Sequence, residues 1–180
     1  MIVFLGDSIT EAWDKTYYNK YFSQFKPTNF GVAGYTTRNI IDFLEKTKLH
    51  SLKPEIIVLL IGTNNTDYEY SSKKTFDEII QILSMLSKLS PDSKIILLGI
   101  LPRGHLPIDN KRIINEQVNR MLKTIRLKNI YYADIGYLFL NKDKSIPKEL
   151  MYDYLHLTQK GYLALSEILS KFIYFLIPIK

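Results

Sequence analysis

The run Glu55-Ile56-Ile57-Val58-Leu59-Leu60-Ile61, closed by Gly62, is apolar without a break, where a strand with one wet face would alternate. Continuous β-branched hydrophobicity over so short a length fits a strand covered on both faces, which is the setting of a parallel sheet. Similar runs lie on either side of it: Ile2–Leu5 ending at Gly6, Lys94–Leu101 ending at Pro102, Ile130–Ala133, and a fainter one over Asn29–Val32. The segments between them change period. Phe76, Ile79, Ile80, Leu83, Leu86 and Leu89 recur at three and four until Pro91 stops the pattern. Ile113, Ile114, Val118, Met121, Leu122 and Ile125 repeat it, and a last helix enters through Thr158, carries Leu165, Leu169 and Ile173, and ends before Pro178. Helical crossovers between parallel strands predict an α/β protein, a three-layer α/β/α sandwich around a mostly parallel five-stranded sheet.

At 180 residues this reads as one domain, residues 1–180. No internal repeat, linker or low-complexity tract interrupts the alternation. The chain has no cysteine, so disulfides, thiolate metal sites and cysteine nucleophiles are excluded. Its net charge of +6 does not point to nucleic acid: 19 of the 24 basic residues are Lys, and they are scattered. A phosphate-tracking surface clusters its basic residues and favours Arg. No run approaches the roughly 18 apolar residues that span a bilayer. Met1 leads straight into Ile2-Val3-Phe4-Leu5 with no basic leader region, so the expected location is cytoplasmic.

In open α/β sheets ligands bind beyond the carboxyl ends of the strands. Four loops there carry unusual residues. Gly6-Asp7-Ser8 follows the first strand and lifts a hydroxyl above the sheet edge beside free backbone N–H groups. Taken alone, a Ser after Gly-Asp is more often a helix cap or a turn residue. Gly31-Val32-Ala33-Gly34 allows close backbone approach to a ligand, or simply leads into a Thr-capped helix. Gly62-Thr63-Asn64 offers a carboxamide donor for a developing oxyanion, or an Asx turn. Asp153-Tyr154-Leu155-His156 puts a carboxylate and an imidazole on one short turn just before the last helix. A Ser hydroxyl needs a base in hydrogen-bond reach, and a neighbouring carboxylate fixes the tautomer of that base. His50 and His105 have no carboxylate at that spacing.

Taken in order, the G-D-S, G-x-x-G, G-T-N and D-x-x-H pieces resemble the four blocks of the GDSL/SGNH hydrolases, over Phe4 to about Tyr162. Leu101-Pro102-Arg103-Gly104, Asn119, Gly62-Thr63-Asn64-Asn65 and the ending His156-Leu157-Thr158-x-x-Gly161-Tyr162 resemble the platelet-activating-factor acetylhydrolase subunit branch of that family. The resemblance implies a flavodoxin-like SGNH hydrolase fold. It implies Ser8 as nucleophile, His156 as base and Asp153 as its partner. The oxyanion donors would be the Ser8 and Gly34 N–H groups and the Asn64 side chain. Ile9 stands where the family name has Leu.

The expected reaction is hydrolysis of a short-chain acyl ester, acetyl above all, of a carbohydrate or small lipid, through an acyl-enzyme. No metal or organic cofactor is implied. Asp7, Trp13, Tyr35, Thr37, Arg103 and His105 are the candidates to bind substrate. Trp13 has the alternative of packing under the first loop, and Arg103 that of pairing with a carboxylate. Three rival readings are an O-acyltransferase with the same triad, a metal-dependent phosphoesterase built on Asp7, and an inactive binding module. The phosphoesterase lacks G-x-G-x-x-G and G-x-x-x-x-G-K-[ST]. The apolar tail Phe172–Ile179 is a candidate homodimer surface.

Overall fold

A computed structural model describes residues 1–177 of the chain. Five strands, β1 (Ile2–Gly6), β2 (Thr28–Gly31), β3 (Ile56–Leu60), β4 (Lys94–Leu98) and β5 (Ile130–Ala133), form one sheet in the order β2-β1-β3-β4-β5. Every pairing is parallel, so the sheet is wholly rather than mostly so. The helices are α1 (Ser8–Glu11), α2 (Lys15–Phe22), α3 (Thr37–Lys46), α4 (Ser72–Leu89), α5 (Asn110–Leu122) and α6 (Gln159–Leu176).

Alternation along each strand sends successive side chains to opposite faces. Phe4, Val58, Leu60, Ile96 and Leu98 meet Trp13, Phe22 and the α6 residues Leu165, Leu169 and Ile173. Val3, Leu5, Ile57, Leu59, Ile95 and Leu97 meet Ile40 and Leu44 of α3, Ile79 and Leu83 of α4, and Val118 and Leu122 of α5. Both faces are therefore dry, which is what the unbroken Glu55–Ile61 run requires. The chain leaves β1 towards β2 on one side and returns to β3 on the other. The crevice beside β1 is thus the topological switch point of the sheet.

The expected strand over Lys94–Leu101 stops three residues early. Gly99 N–H still reaches the Ala133 carbonyl at 2.9 Å, but β5 ends there. Beyond it the Asn119 carboxamide takes over the partner's role, holding both the N–H and the C=O of Ile100 at 2.8 Å. The apolar tail is divided: Ile173 and Leu176 belong to the core, Phe175 is exposed, and residues 178 and 179 of the candidate dimer surface lie outside the described residues. Among the described residues no helix is long and apolar enough to cross a membrane.

Candidate active site

Ser8 follows β1 on a turn that only a short chain of constraints allows. Asp7 caps the single turn of α1, its carboxylate accepting from Ile9 N–H at 3.0 Å. A Cβ on Gly6 would collide with the Leu60 carbonyl and with Thr10, so the close entry to the turn needs glycine. Below the turn, the Tyr162 hydroxyl donates to the Ile9 carbonyl at 2.9 Å and Trp13 Nε1 donates to Ser166 Oγ at 2.9 Å. Both bonds tie the Ser8 loop to α6.

The residue 151–157 segment is a small hairpin. Met151 and Leu157 pair antiparallel and are buried, and Tyr152 N–H donates to the His156 carbonyl at 3.2 Å. Tyr154, between Asp153 and His156, has φ +62°, a left-handed conformation that is uncommon for a bulky residue and is found where surrounding structure enforces it. The enforcing contacts are its own N–H to the Met151 carbonyl, the Gly104 N–H to its carbonyl at 2.9 Å, and its ring against His105 at 4.7 Å. Asp153 Oδ1 accepts from the His156 and Leu155 N–H groups at 2.7 and 3.1 Å, and Oδ2 lies 2.7 Å from His156 Nδ1. Partial burial raises the Asp153 carboxyl, but the His156 ring and the two N–H groups outweigh it and hold it below the ordinary carboxylate range. His156 Nε2 is then 2.9 Å from Ser8 Oγ.

The other two loops close over the switch point. Val32 N–H donates to the Gly6 carbonyl and a β-turn from Val32 to Tyr35 puts Gly34 at φ +76°, in the region glycine enters without strain. Asn64 donates one amide hydrogen to the Tyr35 carbonyl at 3.0 Å, and among the described residues the other has no protein acceptor. The N–H groups of Ser8 and Gly34 make no hydrogen bond among the described residues. Asn65, a residue to which no role was given from sequence, is fully buried and joins the second loop to the third: its Oδ1 accepts from Thr37 N–H at 3.0 Å, and its Nδ2 donates to Thr37 and Thr75 hydroxyls. Its signal was the adjacency of two Asn at a strand end, which does not say which of them turns inward.

The candidate substrate contacts fall in different settings. Trp13 is a core side chain, packed edge-on against Phe4 and Phe22. Thr37 is buried on Asn65 and bonded to Glu78. Asp7 is 1% exposed and its carboxylate is occupied as a cap, so its side chain serves the turn. Burial pushes its carboxyl up to about 7, against the pull of the Ile9 N–H and of the His156 and Arg103 charges. Tyr35 packs on the α3–α4 side of the sheet and offers the site its carbonyl to Asn64 rather than its ring. Arg103 is engaged by the Thr63 carbonyl at 2.9 Å and by Asp67 at 3.1 Å, the carboxylate alternative. His105 is exposed beside the hairpin. Tyr152, not singled out from sequence, lies nearly parallel to the His156 ring at 6.0 Å and is exposed. Among the described residues no three His, Cys, Asp or Glu side chains converge as metal ligands would.

A serine held by an imidazole that is itself held by a carboxylate, with unpaired donors on adjoining loops, can carry out nucleophilic acyl transfer. Comparison with known proteins agrees with that chemistry. The model of the GDSL-like lipase/acylhydrolase family matches residues 4–164. Platelet-activating factor acetylhydrolase IB subunit alpha2 of Rattus norvegicus is 34% identical over 175 residues, covering 96% of this chain and 75% of the relative. The fold matches a GDSL-like lipase from Bacteroides thetaiotaomicron (TM-score 0.81, 22% identity, 98% of this chain and 88% of the other). It also matches an acetylxylan esterase from Geobacillus stearothermophilus (TM-score 0.74, 17% identity, 99% and 94%).

Proposed function

Since the chain belongs to the GDSL-like lipase/acylhydrolase family, and is a carboxylic ester hydrolase, we propose that it cleaves short-chain acyl esters, acetyl esters above all, with Ser8, His156 and Asp153 as its triad. The observation that carries the proposal is the unbroken path from Asp153 Oδ2 through His156 to Ser8 Oγ, 2.7 Å and then 2.9 Å. His156 Nε2 takes the hydroxyl proton as Ser8 Oγ attacks the ester carbonyl, and Asp153 stabilises the imidazolium that results. The Ser8 and Gly34 N–H groups and the second Asn64 amide hydrogen receive the oxyanion. Among the described residues none of the three is bonded to another protein group, so no protein–protein hydrogen bond has to break before they act. His156 then returns the proton to the leaving alcohol, and water, deprotonated by the same imidazole, releases the acid and restores Ser8.

The alcohol of the substrate is a carbohydrate or a small lipid. A platelet-activating factor acetylhydrolase subunit and an acetylxylan esterase are among the similar proteins, and acetyl is the group common to their names. The exposed Tyr152 ring beside His156 offers a flat surface to such a leaving group.

Fluorophosphonate labelling combined with p-nitrophenyl acetate hydrolysis tests the reading. One label per chain is expected, on the peptide that contains Ser8, with loss of hydrolysis in proportion to labelling. Hydrolysis that survives complete labelling of Ser8, or a label on another residue that abolishes it, refutes the assignment.

A further inference from the structure

A second cavity of about 680 Å³ lies between α5 and the 134–144 segment, and none of Ser8, Asn64, Asp153 or His156 lines it. Its size is within the roughly 300–1,000 Å³ usual for small-molecule sites. Two of its wall residues are buried polar groups with bonding capacity left over. Arg112, at 1% exposure, gives Nε to Glu116 at 3.1 Å and Nη1 to the Lys144 carbonyl at 2.7 Å, while Nη2 makes no hydrogen bond among the described residues. Asn115, at 2% exposure, spends its Nδ2 on the Thr63 hydroxyl at 3.3 Å, and its Oδ1 is buried without a partner. Turning the amide over only exchanges which end is orphaned. A buried polar atom without a partner costs on the order of 1–3 kcal/mol, and Asn115 Oδ1 is one; beside it the fold leaves Arg112 Nη2 as a donor that no other described protein group takes, so this wall is built to pair with something.

The charge of the lining narrows what that is. Arg112, Arg120, Lys123 and Lys144 line the cavity against two carboxylates, Glu116 and Asp134. Glu116 is already taken by Arg112, and Asp134 accepts the Gly136 N–H. Leu101, Pro102 and Tyr137 supply an apolar wall. We propose that this cavity is a second binding site, for a small organic anion: a phosphate monoester or carboxylate on a ring-sized apolar body. The Arg112 guanidinium takes the anion, Arg120 and Lys123 neutralise it at the rim, and Tyr137 and Pro102 cover the ring. The site adjoins the oxyanion loop, because Asn115 bonds Thr63, the residue before Asn64.

Titration calorimetry on the full chain, with phenyl phosphate, benzoate and neutral benzyl alcohol as probes, tests this. At least one of the two anions is expected to bind about tenfold more tightly than the alcohol, and the one that does identifies the anionic group. Arg120→Gln/Lys123→Gln, at two exposed positions, and separately Tyr137→Ala, are expected to weaken that binding by about tenfold, the equivalent of about 1.4 kcal/mol. His156→Ala, in the active site, is expected to leave it unchanged. Failure of both anions to bind at millimolar concentration overturns the proposal. So does binding that the cavity variants leave intact, or binding lost with His156, which would place the anion beside Ser8.

Discussion

A serine hydroxyl is a weak nucleophile near neutral pH, so Ser8 depends on the single bond to His156 that relieves it of its proton. Ser8→Ala is expected to lower turnover of p-nitrophenyl acetate by about six orders of magnitude with little change in the melting temperature, since the side chain holds no other partner. Asn64 behaves differently. Its amide is anchored on the Tyr35 carbonyl, so its second hydrogen is aimed without further ordering. Asn64→Ala is expected to cut kcat about a hundred- to a thousandfold with KM nearly unchanged, the pattern of an interaction made only in the transition state. A rise in KM at constant kcat would instead assign Asn64 to substrate positioning.

Among elements, the hairpin that carries Asp153 and His156 is legible in sequence only in part. D-x-x-H placed the two groups on one turn, and Thr158 announced the helix that follows. The left-handed Tyr154 between them left no trace, because nothing local favours that conformation in a tyrosine; the 104–105 segment imposes it from elsewhere in the chain. Thr158 accepts the Gly161 N–H at 3.2 Å as the cap of α6 and donates to the Glu149 carbonyl at 2.5 Å. Thr158→Ala is expected to cost about 1 kcal/mol in stability, read as a lower urea midpoint. Strand β4 is the converse case: its apolar run continues through Leu101, but β5 has ended, so the Asn119 carboxamide replaces the missing ladder. Periodicity records burial and is blind to where a neighbouring strand runs out.

Across the whole molecule, the nucleophile loop and the last helix are joined through Trp13 and Ser166, 153 residues apart. Trp13→Phe keeps most of the ring packing but leaves the buried Ser166 hydroxyl without its donor, and is expected to destabilise the fold by about 1–3 kcal/mol in urea unfolding. Stability should also depend on pH through Asp7. Burial disfavours the charge and pushes its carboxyl in the folded protein up to about 7, above the ordinary value near 3.9. Between those values the folded state holds a proton that the unfolded chain has released. Its contribution is therefore whole below about pH 4, falls as the pH rises through 7, and is constant above, a loss of at most about 4 kcal/mol. Asp153, held below the ordinary range, acts in the opposite sense and loses its contribution in acid. Asp7→Asn keeps the cap acceptor and should flatten the fall between about pH 4 and 7. An unchanged urea midpoint profile would show that Asp7 is ionised at neutral pH in the folded protein.

The sequence by itself determined the layers and the places where chemistry gathers. Burial on two faces writes itself as unbroken apolar runs, helix faces as a period near 3.6, and strand ends as the glycines and polar loops between them. All of these are local properties of the chain. Tertiary structure alone decided which polar side chains face the crevice and which serve the fold. Ser8 and His156 are 148 residues apart and meet because α6, tied to the nucleophile loop through Trp13–Ser166 and Tyr162–Ile9, carries the hairpin before it up to Ser8. Asp7, Trp13 and Thr37 look equally suited to a binding site in sequence, yet each spends its polar atoms inside. A loop residue's type fixes what bonds it can make, while the direction it points is set by partners that are remote along the chain.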